Sequence, residues 1–154
     1  MMKYLLIIST LLFTHTAFAQ CPEVSEVVET LIQHHQNKVR GGEYCKYREV
    51  VKNSDIEVVL YTIEGACNDD IKSPKGSCGN HFNRYITGTV KGEVLTPIII
   101  GGKGDFITKK AVISGESLII SGLSYAKGDP LCCPSEATNH EYVFEKGTFK
   151  RINL

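Results

Sequence analysis

Phe106-Ile107-Thr108-Lys109-Lys110-Ala111-Val112-Ile113-Ser114-Gly115-Glu116-Ser117-Leu118-Ile119-Ile120-Ser121-Gly122-Leu123 decides the fold. Its two halves, Phe106 to Ile113 and Ser117 to Leu123, are rich in β-branched residues. Between them Ser114-Gly115-Glu116 supplies a short glycine turn, the local chemistry that closes an antiparallel hairpin.

Outward from this hairpin the same grammar continues. Tyr47 to Val51, Ile56 to Ile63, Phe82 to Val90, Val94 to Ile100, Glu141 to Glu145 and Thr148 to Ile152 are short, β-branched or aromatic, and bounded by turn residues. Lys91-Gly92 and Lys146-Gly147 repeat the hairpin signal. Glu57-Val58-Val59-Leu60-Tyr61 alternates imperfectly, which predicts a central strand buried on both sides. Upstream the period changes. Val24, Val27, Val28, Leu31, Ile32 and His35 recur at three- and four-residue spacing between Pro22 and about Lys38, one face of an amphipathic helix. Pro22 and Glu23 suit its first turn and Gly41-Gly42 its end. The expectation is an α+β fold, with one N-terminal amphipathic helix packed on an antiparallel sheet of about seven strands and stapled by disulfides. The helix is the only long amphipathic element able to cover the sheet.

Residues 1–19 stand apart from that fold. Lys3 supplies a positive start, Leu5 to Phe13 an apolar core and Ala17-Phe18-Ala19 a small-x-small cleavage site, the features of an export signal. The apolar run of about a dozen residues falls short of the roughly 20 that a spanning helix needs. Cleavage near Ala19 is expected to release a chain starting at Gln20. Gln20 stands where lipid modification of Cys21 would want a small residue, so no lipid is expected. Taking 19 residues from 154 leaves 135, one α+β domain over 20–154 by length. Without Lys3 the 17 basic residues become 16 against 17 acidic ones, a near-neutral balance that argues against nucleic acid as a partner. No membrane span is expected in the mature chain, and the location is the periplasm or the exterior.

The six cysteines, Cys21, Cys45, Cys67, Cys78, Cys132 and Cys133, all follow the signal. An even number in an exported protein predicts three bridges. Cys67 and Cys78 flank the polar loop Asn68 to Ser77, and bonding them closes that loop at its base for about 3 kcal/mol. The other four are coupled. Either Cys132 and Cys133 form a ring, leaving Cys21 to Cys45, or both disperse to other partners. A helix of about 15 residues rises roughly 22 Å, which the chain from its end to Cys45 must retrace almost entirely. Adjacent cysteines on extended backbone point to opposite faces, which favours separate partners.

Gly101-Gly102-Lys103-Gly104-Asp105, the strands Ala111 to Ile113 and Leu118 to Leu123, the segment Gly128-Asp129-Pro130-Leu131-Cys132-Cys133-Pro134-Ser135 and the final Tyr142 to Lys150 hairpin together resemble a group of small exported bacterial proteins of unassigned function. The resemblance covers Val58 to Phe149, and Asp-Pro-x-Cys-Cys-Pro is its specific motif. Members often carry the double cysteine without the other four. The resemblance therefore implies a Cys132–Cys133 ring, which leaves Cys21 for Cys45. In many members the segment equivalent to Val51 to Glu57 resembles an Asp-rich calcium loop; here Lys52 and too few carboxylates argue against calcium.

Little in the sequence points to catalysis. A Cys132 or Cys133 nucleophile with His140 or His81 as base needs a free thiolate, which three bridges would consume. Asp129 before Pro130 reads as a turn initiator rather than an acid. His34 and His35 are adjacent on the helix and point about 100 degrees apart, so they cannot easily share a metal. No metal, cofactor or catalytic residue is expected. The expected function is binding: Asp129, Pro130, Leu131, Cys132, Cys133 and Pro134 on one tethered loop, and Asn68, Asp69 and Asp70 on the other, would contact an envelope protein or glycan. Inhibition of, or immunity to, a secreted wall-degrading enzyme is the specialisation. The alternative is a thiol-based enzyme or redox protein using Cys132 and Cys133.

Overall fold

The computed structural model describes residues 21–66, 74–130 and 132–152. They form one helix, α1 (Glu26–Lys38), and nine strands: β1 (Gly42–Glu43), β2 (Glu49–Lys52), β3 (Ile56–Gly65), β4 (Cys78–Val90), β5 (Glu93–Gly102), β6 (Ile107–Ser114), β7 (Ser117–Ser124), β8 (Glu136–Glu145) and β9 (Thr148–Ile152). A 3-10 turn, Cys45–Tyr47, joins β1 to β2. The expected export signal lies outside the described residues. No helix among those described is long and apolar enough to cross a membrane.

The expectation of one sheet with about seven strands is corrected here. The described residues are mostly β, and their nine strands form two antiparallel sheets, ordered β1-β3-β4-β5 with β2 also on β3, and β6-β7-β8-β9. The cause is visible in β3, whose two faces are both apolar. Ile56, Val58 and Leu60 join Ile86, Leu95, Leu118, Ile120 and Phe149 in the core between the sheets. Val59, Tyr61 and Ile63 join Val28, Ile32 and Tyr85 beneath the helix. One helix covers only one face of a sheet, so the other face requires a second sheet.

The helix begins later than expected, at Glu26 rather than Pro22. Cys21 is bonded to Cys45, and the Pro22 carbonyl accepts from Arg48 Nη1 at 3.2 Å. Both ties hold the lead-in segment outside the helix. Ser25, in extended conformation, becomes the N-cap, and its backbone N–H donates to Glu57 Oε1 at 3.1 Å. Glu26 and Glu29 in the first turn and His35 and Lys38 in the last oppose the helix dipole.

The three hairpins expected from their glycine turns close as their residues require. Lys91-Gly92 and Lys146-Gly147 have positive φ at both positions, the turn whose twist matches that of the strands, while the two-residue Gly115-Glu116 turn has it only at glycine. The crossover between sheets runs through Gly101 to Phe106. At Gly102 (φ +156) a Cβ would stand 2.6 Å from the Phe82 carbonyl and 2.9 Å from Asn83 Oδ1, so the chain leaves β5 only where a side chain is absent.

Candidate functional site

Two surfaces stand out. The first is the loop from Tyr125 to Ser135 between β7 and β8, which contains the Cys-Cys motif. Asp129 ties its two ends together: its Oδ2 accepts from the backbone N–H of Ala126 and of Ser135, both at 2.8 Å, and its Oδ1 accepts from Ser135 Oγ at 2.9 Å. The Ala126 N–H, aided by the Ser135 hydroxyl and N–H, holds the Asp129 carboxyl below its ordinary range. Asp129 therefore organises the turn as a carboxylate. Above it the Cys133 N–H donates to the Pro130 carbonyl at 2.9 Å. Cys132 and Cys133 are bonded to each other. Pro130 and both cysteines are exposed and Pro134 is half-buried; Leu131 lies outside the described residues. The result is a short, polar, surface loop held at its base by a carboxylate and at its tip by a covalent ring.

The second surface is a cleft of about 800 Å³ at one end of the sandwich. It follows from the inner face of β3, where Val58 and Leu60 give way to Thr62 and Glu64 along one row. On β4, Asn83 and Tyr85 share the helix side through the Asn83 Nδ2 to Tyr85 Oη bond at 3.3 Å. Alternation turns Phe82, Arg84 and Ile86 toward the second sheet. Arg84 thus occupies an inter-sheet position, 8 % exposed, where a closed sandwich would carry an apolar residue. Its Nε donates to Thr108 Oγ1 at 3.1 Å, and its Nη1 donates to Thr62 Oγ1 at 3.0 Å and to the Tyr47 carbonyl. Nη2 donates to no described residue, and no described carboxylate forms an ion pair with this guanidinium. Burial pushes Arg84 down to about 10 while Glu49 and Glu43 act in the opposite sense, so it stays charged at neutral pH. Tyr44 and Tyr47 form the rim, edge to face at 5.2 Å, with Tyr47 54 % exposed. Lys109 lies on the lining where a bulge in β6 breaks the register between Thr108 and Lys110.

Arg48, also on the cleft lining, is tied to two carboxylates. It reaches Glu43 through Nε (2.7 Å) and Nη2 (2.6 Å), and Glu29 through Nη1 (2.6 Å) and Nη2 (3.2 Å). With the Cys21–Cys45 bond it fastens the helix and its lead-in to the segment that carries Tyr44 and Tyr47. Cys21, Glu43 and Cys45 are close enough together to be weighed as metal ligands. The two sulfurs are joined and the carboxylate is engaged by Arg48, which leaves no ligand set there.

The remaining residues singled out in the sequence fall as follows. Asn68, Asp69, Asp70 and Cys67 lie outside the described residues. Cys78 is disulfide-bonded, and no described cysteine is free. Asn53 Oδ1 caps the β2–β3 turn by accepting from the N–H groups of Asp55 and Ile56, a role that needs no ion. His34 is exposed, whereas His35 is half-buried with Nδ1 2.6 Å from Tyr61 Oη. His140 is buried against Phe106, ring centroids 4.1 Å apart. It stands four residues into β8, about 13 Å beyond the strand's start, which separates it from the sulfurs of the preceding loop.

Arg84, Tyr44, Tyr47 and Thr108 were not anticipated as site residues. The available signal was a lone arginine within the strand-like run Phe82 to Val90, and an aromatic residue on either side of Cys45-Lys46. Compared with protein-family models, curated proteins and solved structures, the chain matches none.

Proposed function

We propose that the chain is an exported, non-catalytic binding protein of the bacterial envelope, acting as an inhibitor of, or immunity protein against, a secreted wall-degrading enzyme. The observation that carries this reading is the loop from Ala126 to Ser135: largely exposed, drawn together by Asp129 and closed by the Cys132–Cys133 bond, with Pro130 and Pro134 on either side of it. A surface segment ordered before binding loses little conformational freedom in the complex, and this is how rigid inhibitory loops gain affinity. Bonded disulfides suit the oxidising space outside the cytosol. A thiol-based enzyme would instead need Cys132 or Cys133 as a thiolate, and so would need their mutual bond reduced.

The test uses oxidised mature protein and purified peptidoglycan digested by lysozyme-type and amidase-type wall hydrolases. Protection by wild type, lost when Cys132→Ser and Cys133→Ser are combined, supports the reading. Absence of both protection and stable binding to any hydrolase in the set overturns the inhibitor role. Titration of the unreduced, unfolded protein separates the alternative: one or two free thiols would restore a nucleophile, and none would leave it without one.

A further inference from the structure

The cleft is a different surface from the loop, and its charge is what needs accounting for. A guanidinium removed from water is costly unless it is neutralised or fully hydrogen-bonded. Arg84 has neither condition met among the described residues, since Nη2 remains open toward the cleft and no carboxylate pairs with it. Thr62, Thr108 and the Tyr47 carbonyl instead hold the group by its other two nitrogens, which fixes the direction of the free one. Arg48, only a few residues along the chain from Tyr44, shows the contrast: it is neutralised twice. Arg84 is therefore oriented and left with unused Nη2 N–H donors facing a volume suited to a small molecule, within the range of about 300–1,000 Å³ usual for such sites.

The lining narrows the ligand. Arg48, also on the lining, is already engaged by Glu29 and Glu43, and Lys46 and Lys109 are opposed by Glu49 and Glu64, so Arg84 is the cation of the lining left without a matching carboxylate. A singly charged anion matches that balance, and a dianion such as phosphate would meet two carboxylates. The rim is aromatic, with Tyr44 and Tyr47 exposed and Phe82 half-buried, which offers a face for an apolar group. We infer that the cleft binds a small organic monocarboxylate bearing an aromatic or apolar group, its carboxylate on Nη2 of Arg84 and its apolar part against Tyr44, Tyr47 and Phe82. An N-blocked amino acid or the free carboxyl end of a short peptide has this chemistry.

N-acetylphenylalanine and its carboxamide differ in charge and hardly in shape, and both can be titrated into isotope-labelled, oxidised mature protein. The expected result is that the acid shifts the Arg84 Nε–H signal and the amide signals of Tyr47 and Thr108. The carboxamide should bind at least about tenfold more weakly, the loss of one charge-assisted hydrogen bond. Inorganic phosphate should bind more weakly than the acid, and Arg84→Gln should remove the preference for the acid. If that variant fails to fold, the acid-to-amide comparison on wild type stands by itself. Equal binding of acid and amide, tighter binding of phosphate, or unmoved cleft signals at about 10 mM acid would each overturn the assignment. None of these outcomes bears on hydrolase protection, so the loop reading and the cleft reading fail separately.

Discussion

Replacing Arg48 with methionine should be among the most damaging single changes in this protein. The Arg48 side chain is 1 % exposed and the Glu43 side chain 8 %, while Glu29 retains 36 %. Methionine fills much of the arginine's volume but leaves the buried Glu43 carboxylate without its partner and frees Glu29 from the helix-to-strand tie. Removing one member of a buried ion pair costs about 3–5 kcal/mol, most of it the burden of the charge left behind. Urea unfolding followed by far-UV circular dichroism should show that loss as a lower midpoint at unchanged slope. The variant combining Arg48→Met with Glu29→Gln and Glu43→Leu should recover most of the stability, because it removes the stranded charges together with the arginine. Acidification adds a second signature. The Arg48 hydrogen bond, ahead of its Coulombic attraction, lowers the Glu29 carboxyl, so this contribution is complete above the ordinary carboxylate range and fades as pH falls through the lowered value. The gap between wild type and Arg48→Met should therefore narrow toward pH 3. A loss below about 1 kcal/mol at pH 7, or a triple variant no better than the single one, would refute the idea that burial gives this cluster its weight.

Two further outcomes follow from the same reasoning. His35 is pushed down to about 4, chiefly by burial, with Lys38 and His34 adding to it, so the unfolded chain binds a proton there that the folded chain refuses between about pH 4 and 6.5. Stability should rise with pH across that window by about 2 kcal/mol, less than the full shift because the ring is only half-buried. In His35→Gln the rise should flatten, and unchanged pH dependence in thermal unfolding would locate it elsewhere. Asp129→Ala removes the acceptor that joins Ala126 to Ser135, so trypsin should cut after the exposed Lys127 much faster than in wild type; equal cleavage rates would show that the disulfide alone holds the loop.

Much of the architecture was legible because it is local. The three expected hairpin turns announce themselves in two or three residues each, and the change from a period of two to one of 3.6 separates helix from strands. The imperfect alternation of Glu57 to Tyr61 also stated correctly that β3 is covered on both sides. What it did not state was by what. A hairpin carries its own turn signal but none for the sheet it joins, so the strands after Gly102 could be assigned to the first sheet with no local contradiction. The helix start was misplaced for a similar reason: Pro22 and Glu23 suit a first turn, but the bond to Cys45 and the grip of Arg48 on the Pro22 carbonyl act from more than 20 residues away. Asp129 was readable as a turn former because its partners, Ala126 and Ser135, are near in sequence. Arg84 was not readable as part of a cleft, because the face of β4 that it occupies acquires meaning only once a second sheet lies opposite.

That second sheet also sets the relation between the two surfaces. Ile107, on the cleft lining, pairs with Leu123, and Leu123 pairs with Ala137. With strands about 4.8 Å apart, one row across the sheet covers roughly 10 Å from the cleft to β8. Ser124 and Glu136, the last pair before the Asp129 loop, lie one residue further along. The loop therefore rises from the same end of the second sheet at which the sandwich stays open. At the other end Ile56 and Val90 of the first sheet share one apolar cluster with Ile113, Phe144 and Phe149 of the second. The asymmetry has a cause in the strands themselves, since the inner row of β3 runs from Val58 and Leu60 to Thr62 and Glu64 and that of β4 from Ile86 to Arg84. Apolar residues draw the sheets together at one end. Polar ones need solvent or a ligand at the other, and the chain places there both the cleft of Arg84 and the loop tethered by Asp129 and the Cys132–Cys133 bond.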